Sequence, residues 1–367
     1  MTSPRELPTH PAVRALDLER VTHEGVPGIV LHDRMGLSES TFLPQDLLPI
    51  VGRCDGSRTV LQIRDEASEQ VGEEIPIEFV AGLVQQLDER GLLLGPTYDG
   101  IATAAADAFL AAGVRPARHA GSAGYPRDPA MLRAALHELV TPPPEATAPL
   151  RGLVAPHIDL ARGAAGYAAA YRRLLAAPPA DLYVLFGTGH AGPDAPVTGL
   201  PLDWQTPLGT VATDRQFVAA VHERIGAAAP IDLLHHRDEH SLEFQVLLLQ
   251  HLHQRRGGER PLQVAAFLCG ALPSVHGDPL AEDWCQDLLA AFRAAEAASG
   301  KTVCYLAGAD LAHIGPIFGD EASIDDARLE QLAAAERARL EHLQAGVPGA
   351  FHAAVDCDRN PDRVCSG

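Results

Sequence analysis

Three runs of apolar residues each end on a polar residue able to bind a metal or move a proton. RGLVAPH ends at His157, DLYVLFGTGH at His190, and TVCYLAGADLAH at Asp310 and His313. A continuous apolar stretch of this length fits a strand buried on both faces of a parallel sheet. PLQVAAFLCG is a further run of the same kind. Between these runs the apolar residues recur at helical spacing, in AAGYAAAYRRLLAA, DRQFVAAVHERIGAA, HSLEFQVLLLQHLHQRR, LAEDWCQDLLAAFRAAEAA and DDARLEQLAAAERARLEHLQ. From Arg151 onward the alternation predicts an α/β fold, a mostly parallel central sheet flanked by helices. Ligands of open α/β sheets bind beyond the carboxyl ends of the strands. Such a sheet would gather imidazoles and carboxylates from distant positions into one pocket.

The first hundred residues follow a different pattern. CDGSRTVLQIRDEASEQVG reads as a turn at Asp55-Gly56 leading into a helix. LVQQLDERGLLLG has apolar residues at Leu83, Val84, Leu87 and 92–94, so a helix ends near Gly91 and a short strand follows. The order of strand, helix, helix and strand predicts a small winged-helix-like α+β domain over residues 1–97. ATAAADAFLAAG predicts a helical linker over 98–114, and the sheet domain takes 115–367. Within it PRDPAMLRAALHELV is a helix with Asp128 as its N-cap ahead of Pro129. TPPPEATAP is a short Pro-rich connector.

Composition narrows the function classes. At 367 residues, 46% hydrophobic and 21% charged, the chain has the make-up of a globular protein with a large core. Its formal net charge of −19 argues against nucleic acid as a partner, because that surface needs clustered Lys and Arg. No apolar run reaches the roughly 18 residues needed to span a bilayer, so no membrane partner is expected. The N-terminus MTSPRELPTH lacks a basic start followed by an apolar segment. The six cysteines form no CxxC pair, which fits reduced thiols in a cytoplasm. The abundance of Ala, Arg and Pro fits a high-GC bacterial coding composition.

Candidate chemistry sits at the run ends. Neutral imidazole is the commonest metal ligand and a frequent general base, which applies to His157 and to His190. Gly187, Gly189 and Gly192 around His190 permit either close approach of backbone to a ligand or a tight turn. In RDEHSLEFQVLLLQHL, His240 and Glu243 lie three apart on one helical face and form a candidate proton-transfer dyad. The alternative there is a plain helix start, with Ser241 or Asp238 as the cap. Asp310 is placed to accept a hydrogen bond from a ligating imidazole and fix its tautomer, with His313 facing the pocket. Near the terminus Cys357 and Cys365 offer thiols; a metal or nearby Arg363 would lower their pKa. HExxH, GxSxG, a phosphate-binding Gly-rich loop and a Rossmann fingerprint do not occur in a supporting context.

Taken in order, RHAGSAGYP, APHIDLARGA, FGTGHAG, DEHSLEFQ, GADLAHIG and DRVCSG resemble the Memo family, the AmmeMemoRadiSam system protein B group, over about 115–367. The resemblance implies the fold of the LigB-type extradiol dioxygenases, with a pocket of two His, an Asp-x-x-His pair and a Cys. These fall on His157, His190, Asp310, His313 and Cys365. It implies iron or copper as cofactor, with zinc less suited, and a metal-dependent oxidoreductase role. In that scheme His157, His190 and Cys365 are the metal ligands. Asp310 orients them, and His313 or His240 moves protons. The chain departs from the family pattern at Ile158-Asp159-Leu160, which makes the pocket wall more acidic, and at Ala191, where a second His is usual. It ends two residues beyond Cys365, where the family pattern continues for some fifty more, so the expectation is either a truncated product or a ligand on a frayed end.

DGSRTVLQIRDEAS followed by FVAGLVQQLDERGLLL resembles the PqqD-like peptide-recognition modules. This implies a peptide or protein partner for the N-terminal block and, beside a Memo-like domain, a peptide-modification or radical-enzyme system. The alternative function is a non-catalytic peptide- or protein-binding adaptor that keeps the Memo fold.

Overall fold

A computed structural model of the protein describes residues 7–122, 124–141, 145–258, 260–270, 278–355 and 359–365. The chain divides into two compact units, Met1–Ala108 and Phe109–Gly367. In the first, strands β1 (Asp17–His23), β2 (Val26–His32) and β3 (Thr41–Pro44) form an antiparallel sheet in that order. β1 and β2 meet at Glu24-Gly25, both at positive φ (50° and 83°), the geometry of a tight two-residue hairpin. Helices α1 (Leu48–Val51), α2 (Val60–Val71) and α3 (Ile77–Glu89) follow. Thr59 and Gln62 form a capping box that starts α2, and Gly72 ends it in the left-handed region. Leu31, Leu43, Ile63, Val80, Val84 and Leu87 build one core.

This unit corrects the expected order of elements. A three-stranded sheet precedes the helices, and residues 92–94 contribute a single bridge, Leu93 to Val13, rather than a strand. The sheet escapes pattern reading because β1 is mostly exposed and polar, and β2 carries Pro27 and Gly28 in place of an apolar/polar alternation. Leu92 and Leu93 instead plug the core, and Pro96 begins helix α4 (Pro96–Ala111) too soon for a ladder to extend.

The second unit contains β4 (Val114–Arg115), α5 (Pro129–Leu139), β5 (Gly152–Ala155), α6 (Ala164–Ala176), β6 (Leu182–Thr188), β7 (Val197–Gly199), β8 (Asp203–Thr206) and β9 (Gly209–Thr213). Then come α7 (Arg215–Ile225), α8 (Pro230–Asp238), α9 (His240–Arg255), β10 (Gln263–Cys269), α10 (Asp283–Ser299), β11 (Val303–Gly308), α11 (Asp326–Ala345) and α12 (Pro348–Val355). Its sheet runs β4-β8-β9-β10-β6-β11-β5, with β7 paired to β10. The pairs β10–β6, β6–β11 and β11–β5 are parallel, and antiparallel contacts are confined to β7 and the β8–β9 hairpin. This is the mostly parallel α/β architecture expected. Asp128 caps α5 as predicted, accepting from the amides of Ala130 and Met131.

α9 decides where the site forms. Ser241 through Leu252 are all buried, as in a helix enclosed on every side rather than an amphipathic surface helix. Its start lies against the ends of β6 and β11. A Cβ at Gly187 would fall 2.5 Å from Ser241 Oγ, and one at Gly308 would fall 2.8 Å from the Ser241 carbonyl. These two glycines therefore serve helix–sheet packing, not approach to a ligand. Gly192, at φ 73°, serves a turn. Among the described residues no helix is long and apolar enough to cross a membrane.

Candidate metal centre

β5, β11 and β6 are adjacent in the sheet, and two residues past each strand end stand His157, Asp310 and His190. α9 adds His240 from its first turn. The His157 and His190 rings have centroids 4.9 Å apart at 87°, His157 and His240 5.5 Å apart at 89°. His190 and His240 stack at 4.6 Å and 23°. Each of the three offers a ligand nitrogen, and these atoms lie within 4.8 Å of one another. That is wider than the roughly 3.3 Å edge of a tetrahedral site with 2.0–2.1 Å bonds. Closing it takes a shift of under about 1 Å per ring.

Hydrogen bonds leave one nitrogen of His157 and one of His190 to face the cluster. His157 Nδ1 donates to the Gly308 carbonyl at 2.9 Å, which leaves Nε2 as the ligand atom. His190 Nδ1 lies 3.0 Å from both carboxylate oxygens of Glu239. Glu239 Oε1 is also 3.2 Å from His240 Nδ1. A buried carboxylate thus bonds one imidazole and lies beside a second, and such a carboxylate is commonly found behind metal-ligating histidines. The same Glu239 caps α9, accepting from the His240 and Ser241 amides, so neither Ser241 nor Asp238 is the cap.

The charges follow this geometry. Burial favours a neutral His190, but the Cys365 sulfur and the Glu239 carboxylate outweigh it and raise His190 to about 10. Burial also opposes ionisation of Glu239, yet His190 and His240 hold it well below the usual carboxylate range. Burial lowers His240 to about 4, with the neighbouring imidazoles offsetting the pull of Glu239. Burial opposes protonation of His157 too, but Cys365 and Asp310 raise it above an ordinary histidine.

Cys365 reaches this cluster: its Sγ is 3.5 Å from His157 Nε2 and 3.7 Å from the Asp310 carbonyl. Residues 359–365 are tied down, with Val364 only 3% exposed and its amide bonded to Asn360 Oδ1 at 2.8 Å. Arg363 does not act on the thiol; its guanidinium donates to the His313 carbonyl and to Asp320. Cys357 lies outside the described residues.

Three other sequence expectations change. Asp310 receives the His157 backbone amide at 2.9 Å, and its second oxygen stands 3.8 Å from His157 Nε2. The His157 tautomer is set by Gly308 instead. His313 bonds through Nδ1 to the Leu311 carbonyl and packs on Phe318, while its amide donates to the Asp362 carbonyl. These contacts describe a loop staple, and His313 does not belong to the three-imidazole group. Glu243 forms no dyad with His240: it is buried against Arg115, accepts from Tyr125 Oη, and takes the His119 amide at 3.0 Å. The acidity expected from Asp159 is neutralised by an ion pair with Arg162.

Two residues escaped sequence reading. Glu239 looked like any acidic residue ahead of a helix, since a cap and a histidine partner share one signature. His119, within RHAGSAGYP, packs its ring 5.7 Å from His240; no local signal marks that contact.

The donor set fits a transition metal, since imidazole and thiolate suit zinc, copper or iron. A family profile described as Memo-like protein matches residues 115–366. A MEMO1 family protein of Aquifex aeolicus is 30% identical over 242 residues, 66% of this chain and 63% of its own length. The chain thus spans just under two thirds of that relative. A MEMO1 family protein of Archaeoglobus fulgidus is 32% identical over 207 residues, 54% of this chain and 69% of its own. One from Thermus thermophilus is 27% identical over 318 residues, 84% of this chain and 86% of its own. That stretch exceeds the profile match, so the likeness extends ahead of residue 115. With the strand-end histidines, the parallel sheet and the terminal cysteine all lying inside the matched stretch, the chain belongs to the Memo family.

Proposed function

We propose that this is a metal-dependent redox protein, with His157, His190, His240 and Cys365 as its ion ligands. The observation that carries the reading is Glu239 bonding Nδ1 of His190 and lying 3.2 Å from Nδ1 of His240, two histidines whose ligand atoms, with that of His157, lie within 4.8 Å. A buried carboxylate used this way raises imidazole basicity and fixes ring orientation; a structural histidine cluster has no need of it. Imidazole with thiolate suits iron, copper or zinc, and of these iron or copper would supply electron transfer.

The chain's own residues supply the rest. Gly308 fixes the His157 tautomer, and Asp310 holds the His157 backbone. The Asp310 oxygen 3.8 Å from Nε2 would take a proton from a bound group. His190 is about a third exposed while His157 is closed off, so substrate would enter on the His190 side. The N-terminal unit would recruit the peptide or protein substrate.

The test is elemental analysis of anaerobically purified protein. Near-stoichiometric iron or copper, lost in His157→Ala and in His190→Ala, supports the reading. Wild-type protein that stays metal-free after reconstitution with either ion refutes it.

A further inference from the structure

We propose that Asp362 is a positioning residue: its buried ion pair with Arg328 and Arg339 of α11 delivers Cys365 to the imidazole cluster. The inference rests on the reading that Cys365 belongs to the metal site.

The segment before Cys365 has few apolar anchors. From Arg359 to Cys365 only Asp362 and Val364 are buried. Asp362 Oδ1 accepts from Arg328 at 2.5 Å and Oδ2 from Arg339 at 2.7 Å. Arg339 is the one buried side chain among the residues of α11, so this 20-residue helix presents an arginine inward where an apolar contact is usual. It is held there by Glu336 and the Ala354 carbonyl. A carboxylate is buried at little cost only when paired and hydrogen-bonded, and here two guanidinium groups meet that need.

The backbone around Asp362 is held equally closely. Asn360 and Arg363 lie in the left-handed region, at φ 37° and 50°, a conformation side chains rarely adopt without compensation. Asn360 bonds both the amide and the carbonyl of Val364, and the Asp362 carbonyl takes the His313 amide at 2.8 Å. The turn so formed sets the Cys365 sulfur 3.5 Å from His157 Nε2. Without the carboxylate, Arg328 loses this ion pair, Arg339 keeps Glu336 and the Ala354 carbonyl, and the strained turn loses its anchor to α11.

The test compares wild type with Asp362→Asn, Asp362→Glu and Arg328→Met, the last removing one half-exposed arginine and sparing the fold. In cobalt-loaded protein, Asp362→Asn should keep one cobalt on the imidazoles and lose the sulfur-to-cobalt charge-transfer band, as Cys365→Ser does. Asp362→Glu should restore most of it. In metal-free protein, amide hydrogen exchange over 359–365 should rise at least tenfold in Asp362→Asn and less in Arg328→Met, with α9 unchanged. A full-strength band and unchanged exchange in Asp362→Asn overturn the proposal. Wild type that takes up no cobalt sinks the metal reading, and the exchange result then decides on Asp362 alone.

Discussion

Both carboxylate oxygens of Glu239 lie 3.0 Å from Nδ1 of His190. Glu239 is almost wholly enclosed while His190 is about a third exposed, so the pair joins the buried helix start to the open side of the site. Replacing Glu239 by Gln keeps an oxygen for the α9 amides and removes the charge. Metal affinity should fall about 10- to 100-fold with the circular dichroism spectrum unchanged, read by competition against a chelator.

His240 and His313 were both candidates for proton transfer, and their surroundings now separate them. His240 stacks on His190 at 4.6 Å, whereas His313 packs on Phe318. His240→Ala should cut bound metal severalfold and His313→Ala should leave it within twofold, measured on dialysed protein. The reverse pattern would remove His240 from the ligand set.

Glu243 is a structural group, and its loss should show in stability. Its side chain and that of Arg115 are 1% and 0% exposed, so Glu243→Ala leaves a buried guanidinium without its partner. The expected loss is about 3–5 kcal/mol, read from urea unfolding. A change under about 1 kcal/mol would mean that water or another group takes over the charge.

His236 makes stability depend on pH. Burial, with a smaller contribution from the Arg115 charge, depresses it to about 3, and Nε2 donates to the Thr198 carbonyl at 2.9 Å. The unfolded chain's imidazole takes a proton near pH 6.5, and the native one refuses it until about pH 3. Stability from this group is therefore complete above about pH 6.5 and is lost as pH falls toward 3, at up to roughly 1.4 kcal/mol per pH unit. Urea midpoints at pH 7.5 and 5 should differ less in His236→Gln than in wild type.

Gly308 tests the packing that brings α9 to the strand ends. An alanine there would set Cβ 2.8 Å from the Ser241 carbonyl and 2.9 Å from Gln245 Nε2. Relief requires moving the helix start, so Gly308→Ala should cost about 1–3 kcal/mol and weaken metal binding as well. Destabilisation with unchanged affinity would show that the imidazoles are placed independently of that contact.

Much of the sheet domain could be read from sequence because β6, β10 and β11 are buried on both faces and leave unbroken apolar runs. The N-terminal sheet could not, since β1 is largely exposed and polar and β2 and β3 are too short in unbroken apolar residues to stand out. At the site, the strand-end positions of His157 and His190 were legible from the apolar runs. Glu239 was not, because an acid before a helix satisfies the amides whatever else it touches.

What the sequence by itself determined is which side chains stand at the carboxyl ends of buried strands, since apolar periodicity encodes strand position and the parallel sheet aligns those ends. What only the tertiary structure decided is which of them meet: that His240 joins the cluster, that Glu239 rather than Glu243 orients it, and that His313 is spent on a loop. Those outcomes depend on how closely α9 approaches β6 and β11 and on an ion pair holding Asp362. Contacts between residues far apart in sequence are set by shape and charge across elements, and no local pattern records them.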